Sequence, residues 1–257
     1  WVWWGGTPRT ESTIGGMKKA VRSMIAKLAD RWISYGGTST EYLMSLGIPR
    51  HAITQIQNCV DERMFPPRAA TITTAEPVLL CAGHLIRRKG VDRLLHAAAA
   101  LRREGFKFHL LLVGEGAESG QMQQLARTLQ LDNVIFEPAK SPQEMSAVYR
   151  RSDCLVFPTL ADVWGLVVNE AVLSGIPVLC SRYAGCAAEL VAPENIFDPC
   201  NPEEFRSALR RAVIREVKPC DASRLLTSKQ VADLVLADLM PIAGTHGSLN
   251  IRYSESA

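Results

Sequence analysis

Two carboxylates, Asp162 and Glu170, stand with seven residues between them in the run Pro158-Thr159-Leu160-Ala161-Asp162-Val163-Trp164-Gly165-Leu166-Val167-Val168-Asn169-Glu170-Ala171. The apolar residues 154–157 read as a strand that stops at Pro158, and helical spacing begins near Gly165. The first N–H groups of a helix have no intrahelical partner and carry the positive end of its dipole. Gly165, Leu166 and Val167 therefore offer backbone donors to an anion such as a phosphate. Gly165, with no Cβ, lets that anion approach closely. Glu170, a turn further along, can accept from two neighbouring hydroxyls, and Asp162, ahead of the helix, can face the other end of the same ligand.

A second cluster follows the apolar strand at 78–82: Gly83-His84-Leu85-Ile86-Arg87-Arg88-Lys89-Gly90-Val91-Asp92. Its basic residues, next to a strand end and paired with the acidic run, suit a diphosphate. Gly114-Glu115-Gly116 also follows a strand, but Ser119 stands where a dinucleotide fingerprint needs its third glycine. A nicotinamide cofactor is therefore not indicated.

The elements that position these loops come from periodicity. Strands are expected at 78–82, 108–113, 134–136, 154–157 and 178–180, alternating with helices at 91–103, 119–129, 143–150 and 165–174. Val91, Leu94, Leu95, Ala98 and Leu101 form one stripe of the first helix. Apolar strands alternating with helices predict a parallel sheet covered on both faces, whose ligands lie at the carboxyl ends of the strands. Further helices are expected at 203–213 and 228–240, with a frayed tail at 243–257. Before this region, strands are expected at 1–4, 32–35 and 53–56, and a helix at 40–46 capped by Ser39 and closed by Gly47. Three prolines and scattered charges at 61–77 mark a linker. A helix from Met17 carries Val21, Met24, Ile25 and Leu28 on one stripe and Lys18, Lys19, Arg22 and Lys27 on other faces. It admits two readings: a basic amphipathic helix lying on an anionic membrane, or a packed helix with a solvated basic face.

The acidic run resembles the E-x7-E region of the retaining glycosyltransferases of family 4, with Asp162 in the first acidic position. The resemblance implies that Glu170 binds the ribose of the nucleotide and Asp162 the donor sugar hydroxyls; aspartate is one methylene shorter than the usual glutamate. The basic loop is similar to the family's G-R-L-x-x-x-K-G-V-D. Lys89 matches the lysine that holds the diphosphate, and His84 replaces the arginine. A neutral imidazole gives one donor where a guanidinium gives a fork, a loss that Arg87 or Arg88 would have to offset. Gly114 to Gly116 matches a tight turn near the nucleotide, and Val134 to Lys140 a segment whose backbone contacts the base. Tyr149-Arg150-Arg151-Ser152-Asp153, Ser174-Gly175-Ile176-Pro177-Val178 and Ala184-Gly185 with Glu189 also match; Asp153 and Glu189 read as structural. Residues 35–47 and 58–61 resemble the end of the first domain of a GT-B enzyme and its crossover, so the matches run in order over most of 32–200.

The resemblance implies a GT-B α/β architecture: a partial N-terminal, acceptor-side Rossmann-like domain and linker (1–75), a Rossmann-like nucleotide-sugar donor domain (76–215), and a C-terminal helix and tail (216–257). The beginning of the first domain is expected to be missing. The implied reaction moves a hexose-type sugar from a UDP-, GDP- or ADP-sugar to a glycan, lipid or other hydroxyl acceptor with retention. Asp162, Lys89 and Glu170 would be catalytic. His84, Lys89, Gly165, Leu166, Val167 and Glu170 would bind the donor, with polysaccharide biosynthesis as the setting. The alternatives are a non-catalytic nucleotide-sugar-binding module and a GT-B epimerase. No cofactor or metal is expected, and no D-x-D metal motif occurs in the sequence.

Composition narrows the classes. Across 257 residues, 47% hydrophobic content argues against wholesale disorder, and a net charge of +3 is too small to indicate a nucleic-acid partner. The seven cysteines show no zinc spacing and read as reduced thiols of a cytoplasmic protein, peripheral membrane contact at the inner face being admitted.

Overall fold

The structure is a computed structural model that describes residues 1–12, 15–68 and 75–240. The tail expected at 243–257 and part of the linker expected at 61–77 lie outside the described residues. The chain forms two parallel sheets. The first has strands β1 (Val2–Trp4), β2 (Trp32–Tyr35) and β3 (Ile53–Ile56) in the order β1-β2-β3. Trp32, Leu43 and Ile53 form the core on one face.

Helix α1 (Pro8–Glu11), too short for periodicity to announce, is held by a short-range device. The side chain of Thr7 accepts from the amide of Thr10, that of Thr10 accepts from the amide of Thr7, and Pro8 occupies the first turn. Helix α2 (Gly16–Leu28) forms where its periodicity predicts, but it is turned the other way from a packed helix. Met17 and Leu28 are 83% and 75% exposed, while Ala26 faces the core. The reason is Arg22, whose guanidinium pairs with the buried Glu11 and lies 5.0 Å from the ring of Trp4, fixing which side of α2 faces inward.

Helix α3 (Gly36–Ser45) starts four residues before the expected 40. Ser39 is not its cap; it is fully buried and donates to the carbonyl of Trp4. A carboxylate from the other sheet takes the capping role: Glu189 Oε1 accepts from the amide of Gly37 at 2.6 Å.

The second sheet contains β4 (Val78–Ala82), β5 (His109–Val113), β6 (Val134–Glu137), β7 (Cys154–Phe157), β8 (Val178–Ser181) and β9 (Ile196–Phe197), all parallel, in the order β6-β5-β4-β7-β8-β9. The connecting helices are α4 (Val91–Arg103), α5 (Ser119–Thr128), α6 (Pro142–Arg150), α7 (Leu166–Leu173), α8 (Ala187–Leu190) and α9 (Pro202–Val213). Alternate residues of a strand point to opposite faces, and both faces are covered. Leu79, Leu110 and Val156 enter one core with Leu94 and Leu209, while Leu80, Leu111 and Leu155 enter the other with Val168 and Tyr149. Local signals set the helix starts. Ser141 and Glu144 form a capping box ahead of α6, and Asn201 caps α9 just before Pro202.

Helix α10 (Ser228–Leu239) does not stand apart as a tail element. It returns to the first sheet, where Val231 packs with Ile33 and Ile56. Gln57 fixes the approach by donating to the carbonyl of Arg224 and accepting from the amide of Leu226. Among the described residues, no helix is long and apolar enough to cross a membrane.

The strand order places the site. From β4 the chain runs outward through β5 and β6, and from β7 it runs the other way through β8 and β9. The loops that leave the carboxyl ends of β4 and β7 therefore diverge, and such a switch point opens a crevice.

Candidate functional site

At that crevice lies an open cleft of about 320 Å³, room for a small organic ligand. Its floor is the ends of β4 and β5, at Ala82-Gly83-His84 and Val113-Gly114-Glu115. Lys140 and Met145 line one wall, and Val167 and Glu170 of α7 another. Gly114 sits at φ +142, and a Cβ there would overlap the carbonyl of Gly83. The two strand ends thus meet backbone to backbone, which only glycine permits. Gly114-Glu115-Gly116 is therefore a packing turn, of which Gly114 and Glu115 also line the cleft.

Of the residues singled out from sequence, His84, Val167 and Glu170 face the cleft together. His84 is exposed at the end of β4. Among the described residues, none accepts from the amides of Leu166 and Val167, the first two of α7. Donors of this kind at a helix start suit an anion. Gly165 also has a packing task. At φ +115 its missing Cβ would point at the ring of Phe157, 2.7 Å away, and the thiol of Cys186, so the glycine serves packing beneath the loop.

Lys89 and Asp162 do not line this cleft; they form a pair beside it. Lys89 Nζ lies 2.5 Å from Asp162 Oδ2 and 5.1 Å from the centroid of the Phe157 ring. Arg88 adds a longer contact of 3.5 Å to the same carboxylate and donates to the carbonyl of Ala161 at 2.7 Å. Arg88 is thereby committed to the acidic loop, and Arg87 is exposed. The backbone of Asp162 is held on both sides, its amide donating to Tyr183 and its carbonyl accepting from Gly185. Its carboxylate is almost fully enclosed, with 10% of the side chain exposed.

Glu170 has one described side-chain partner that the sequence did not disclose. The hydroxyl of Tyr149 donates to its Oε2 at 2.7 Å. Burial pushes the Glu170 carboxyl above the usual carboxylate range, and the Tyr149 hydrogen bond opposes that rise. Burial and the neighbouring carboxylate push the Tyr149 phenol well above its ordinary value, so it remains a donor. Lys140 pairs with Glu137 at 3.1 Å, and the guanidinium of Arg151, first, then Lys140 hold that carboxylate below its usual range. Two residues read as structural occupy structural positions. Asp153 accepts from the amide of Val78 at 2.8 Å, and Glu189 caps α3. Tyr149 and Lys140 belong to matched segments, but only the tertiary structure brings Tyr149 to Glu170 and places Lys140 on the cleft beside Glu137.

The geometry can be set beside known proteins. Residues 66–224 match the model of the family described as glycosyl transferases group 1. A D-inositol 3-phosphate glycosyltransferase of Saccharomonospora viridis is 28% identical over 236 residues, covering 82% of this chain and 52% of that protein. A GDP-mannose-dependent alpha-mannosyltransferase of Mycobacterium tuberculosis is 29% identical, covering 65% of this chain and 43% of that protein. Among solved structures, Anabaena HepE in complex with UDP and glucose superposes with a TM-score of 0.75 at 17% identity, over 92% of this chain and 70% of that one. The chain spans about half or less of the length of the curated relatives it matches.

Proposed function

This chain belongs to the family of glycosyl transferases group 1 and has the GT-B fold, and from that premise we propose that its cleft binds the nucleotide-sugar donor of a retaining glycosyltransferase. The observation that carries the reading is the meeting of three features at one switch point. These are the exposed imidazole of His84, the amides of Leu166 and Val167 with no acceptor among the described residues, and the carboxylate of Glu170 one turn along the same helix. In this reading the helix start and His84 hold the diphosphate, and Glu170 accepts from the ribose. Lys89, held beside the cleft by Asp162, supplies the cationic charge that the leaving diphosphate requires as its bond to the sugar breaks. Such fixed donors stabilise developing charge with little reorganisation, a form of electrostatic catalysis that asks for no metal. HepE, with UDP and glucose, supports a uridine donor, and the mannosyltransferase named for GDP-mannose supports a guanosine one. A hexose-type donor and a glycan or lipid-linked hydroxyl acceptor complete the proposal.

The test is calorimetric titration of the chain with UDP, GDP and ADP and their hexose conjugates. One diphosphate is expected to bind selectively. Glu170→Ala removes a charge-assisted hydrogen bond of roughly 1.5–3 kcal/mol, so affinity should fall by about ten- to a hundredfold. Unchanged affinity in a folded Glu170→Ala protein would refute the ribose contact. Binding without sugar transfer to any acceptor would favour a binding module.

A further inference from the structure

We propose that Tyr149 is a positioning residue for the donor site: its hydroxyl holds Oε2 of Glu170 so that Oε1 is presented to the ribose of the bound nucleotide. This rests on the reading of Glu170 given above.

Three observations carry it. Tyr149 lies in the last turn of α6 with its ring fully buried, locked edge-on against Phe65 at 6.0 Å between centroids. Its hydroxyl therefore has a fixed place, 2.7 Å from Glu170 Oε2 and 3.4 Å from the carbonyl of Val167. Glu170 itself is half-buried on the cleft wall beside Val167 of the same helix, and Met145 also lines the cleft. A long carboxylate side chain in such a place has several rotamers, and its terminal torsion is broad. One strong hydrogen bond from a rigid phenol selects among them, so that little order is lost when a ligand arrives. The same bond favours the ionised carboxylate, the form that accepts from a hydroxyl on both oxygens.

Tyr149 touches no part of the ligand in this account; it acts through Glu170 alone. Its effect must therefore vanish whenever either Glu170 or the ribose hydroxyls are removed, a pattern that a general packing role would not produce.

The experiment measures dissociation constants by calorimetry for the unaltered chain, Tyr149→Phe, Glu170→Ala and the double variant. The ligands are UDP, GDP and ADP, and the 2′,3′-dideoxy counterpart of whichever binds tightest. Tyr149→Phe keeps the ring and its contact with Phe65. It is expected to weaken the ribose-bearing diphosphate about tenfold, to leave the dideoxy ligand within twofold, and to add nothing in the Glu170→Ala background. Unaltered dideoxy binding also shows that the variant's site is folded. Equal weakening of both ligands, or a loss that adds to that of Glu170→Ala, would overturn the proposal by assigning Tyr149 a packing role. Full affinity in Tyr149→Phe alongside weakening in Glu170→Ala would overturn it while sparing the ribose contact. No effect of Glu170→Ala, or no diphosphate bound at all, would overturn the donor-site reading and this inference with it.

Discussion

At the scale of single residues, the ion pair between Lys89 and Asp162 governs the basic loop. Resemblance assigns Asp162 to the donor sugar, yet in this chain the shorter acid, with its backbone pinned between Tyr183 and Gly185, has its carboxylate against Lys89. Breaking such an enclosed pair from one side leaves a charge without its counterion. Asp162→Asn is therefore expected to cost about 2–3 kcal/mol, below the range for fully buried pairs because both side chains keep some exposure. Urea unfolding measures it, and a loss under about 0.5 kcal/mol would mean that the pair contributes nothing net. Glu170 yields a pH prediction. Its carboxyl is raised in the folded chain, chiefly by burial, so the folded state holds the proton more tightly than the unfolded one. The associated stability is present in full below the ordinary value of 4.5 and is lost as pH rises through the raised value. Glu170→Gln removes this titration. The melting temperature of the variant minus that of the unaltered chain should increase as pH rises through that window. Thermal melts check it, and a difference that does not vary with pH would show that the carboxylate titrates normally.

At the scale of elements, α3 shows how a helix start can be set from outside its own sequence. Ser39 has the side chain of a cap, and a reading of local propensity begins the helix after it. The observed start is Gly36, because the carboxylate of Glu189 reaches across from α8 to the amide of Gly37 and meets the positive end of the helix dipole. Burial raises the Glu189 carboxyl and the Gly37 hydrogen bond opposes that rise, so this cap operates against a desolvation cost. Glu189→Ala should destabilise the chain by about 1 kcal/mol, the usual contribution of a helix cap, and should open the first turn of α3. Hydrogen exchange would show faster exchange at Gly37 than at the amides of α6; unchanged protection there would assign the start of α3 to local sequence. By contrast, α6 and α9 start within one residue of the expected 143 and 203, and their caps are local, the partners of Ser141 and Asn201 lying within three residues.

At the scale of the whole molecule, the two sheets are tied by polar contacts from distant parts of the chain. Asn169 of α7 accepts from the indole of Trp164 and donates to the carbonyl of Asn58. Arg9 donates to the carbonyl of Leu160 and lies over the ring of Tyr183. Helix α10 closes the arrangement by placing Val231 against Ile33 and Ile56 of the first sheet. A carboxylate placed there has no partner, so Val231→Asp is expected to cost roughly 3 kcal/mol or more. It should also separate the unfolding of the two sheets. Tryptophan fluorescence, weighted to the first sheet, and far-ultraviolet dichroism should then report different urea midpoints. A single shared midpoint would mean that α10 is not what couples them.

Repetition and short-range chemistry made much of this protein legible from sequence. Strands of the large sheet and their helices fall close to where alternating apolar runs place them, because those runs must be buried on both faces whatever the rest of the chain does. The two loops that flank the switch point come from the same pattern, and with them His84, Val167 and Glu170 on one cleft. Tertiary structure alone decided the rest. It turned Asp162 toward Lys89, gave Gly165 a packing task, brought Tyr149 to Glu170 and Glu189 to Gly37, turned the apolar stripe of α2 outward and brought α10 back to the first sheet. Each of these depends on which groups meet from beyond the reach of a single turn or cap. Hydrogen-bond and charge partners at that separation leave no periodic trace, because a single polar contact needs only one residue at each end.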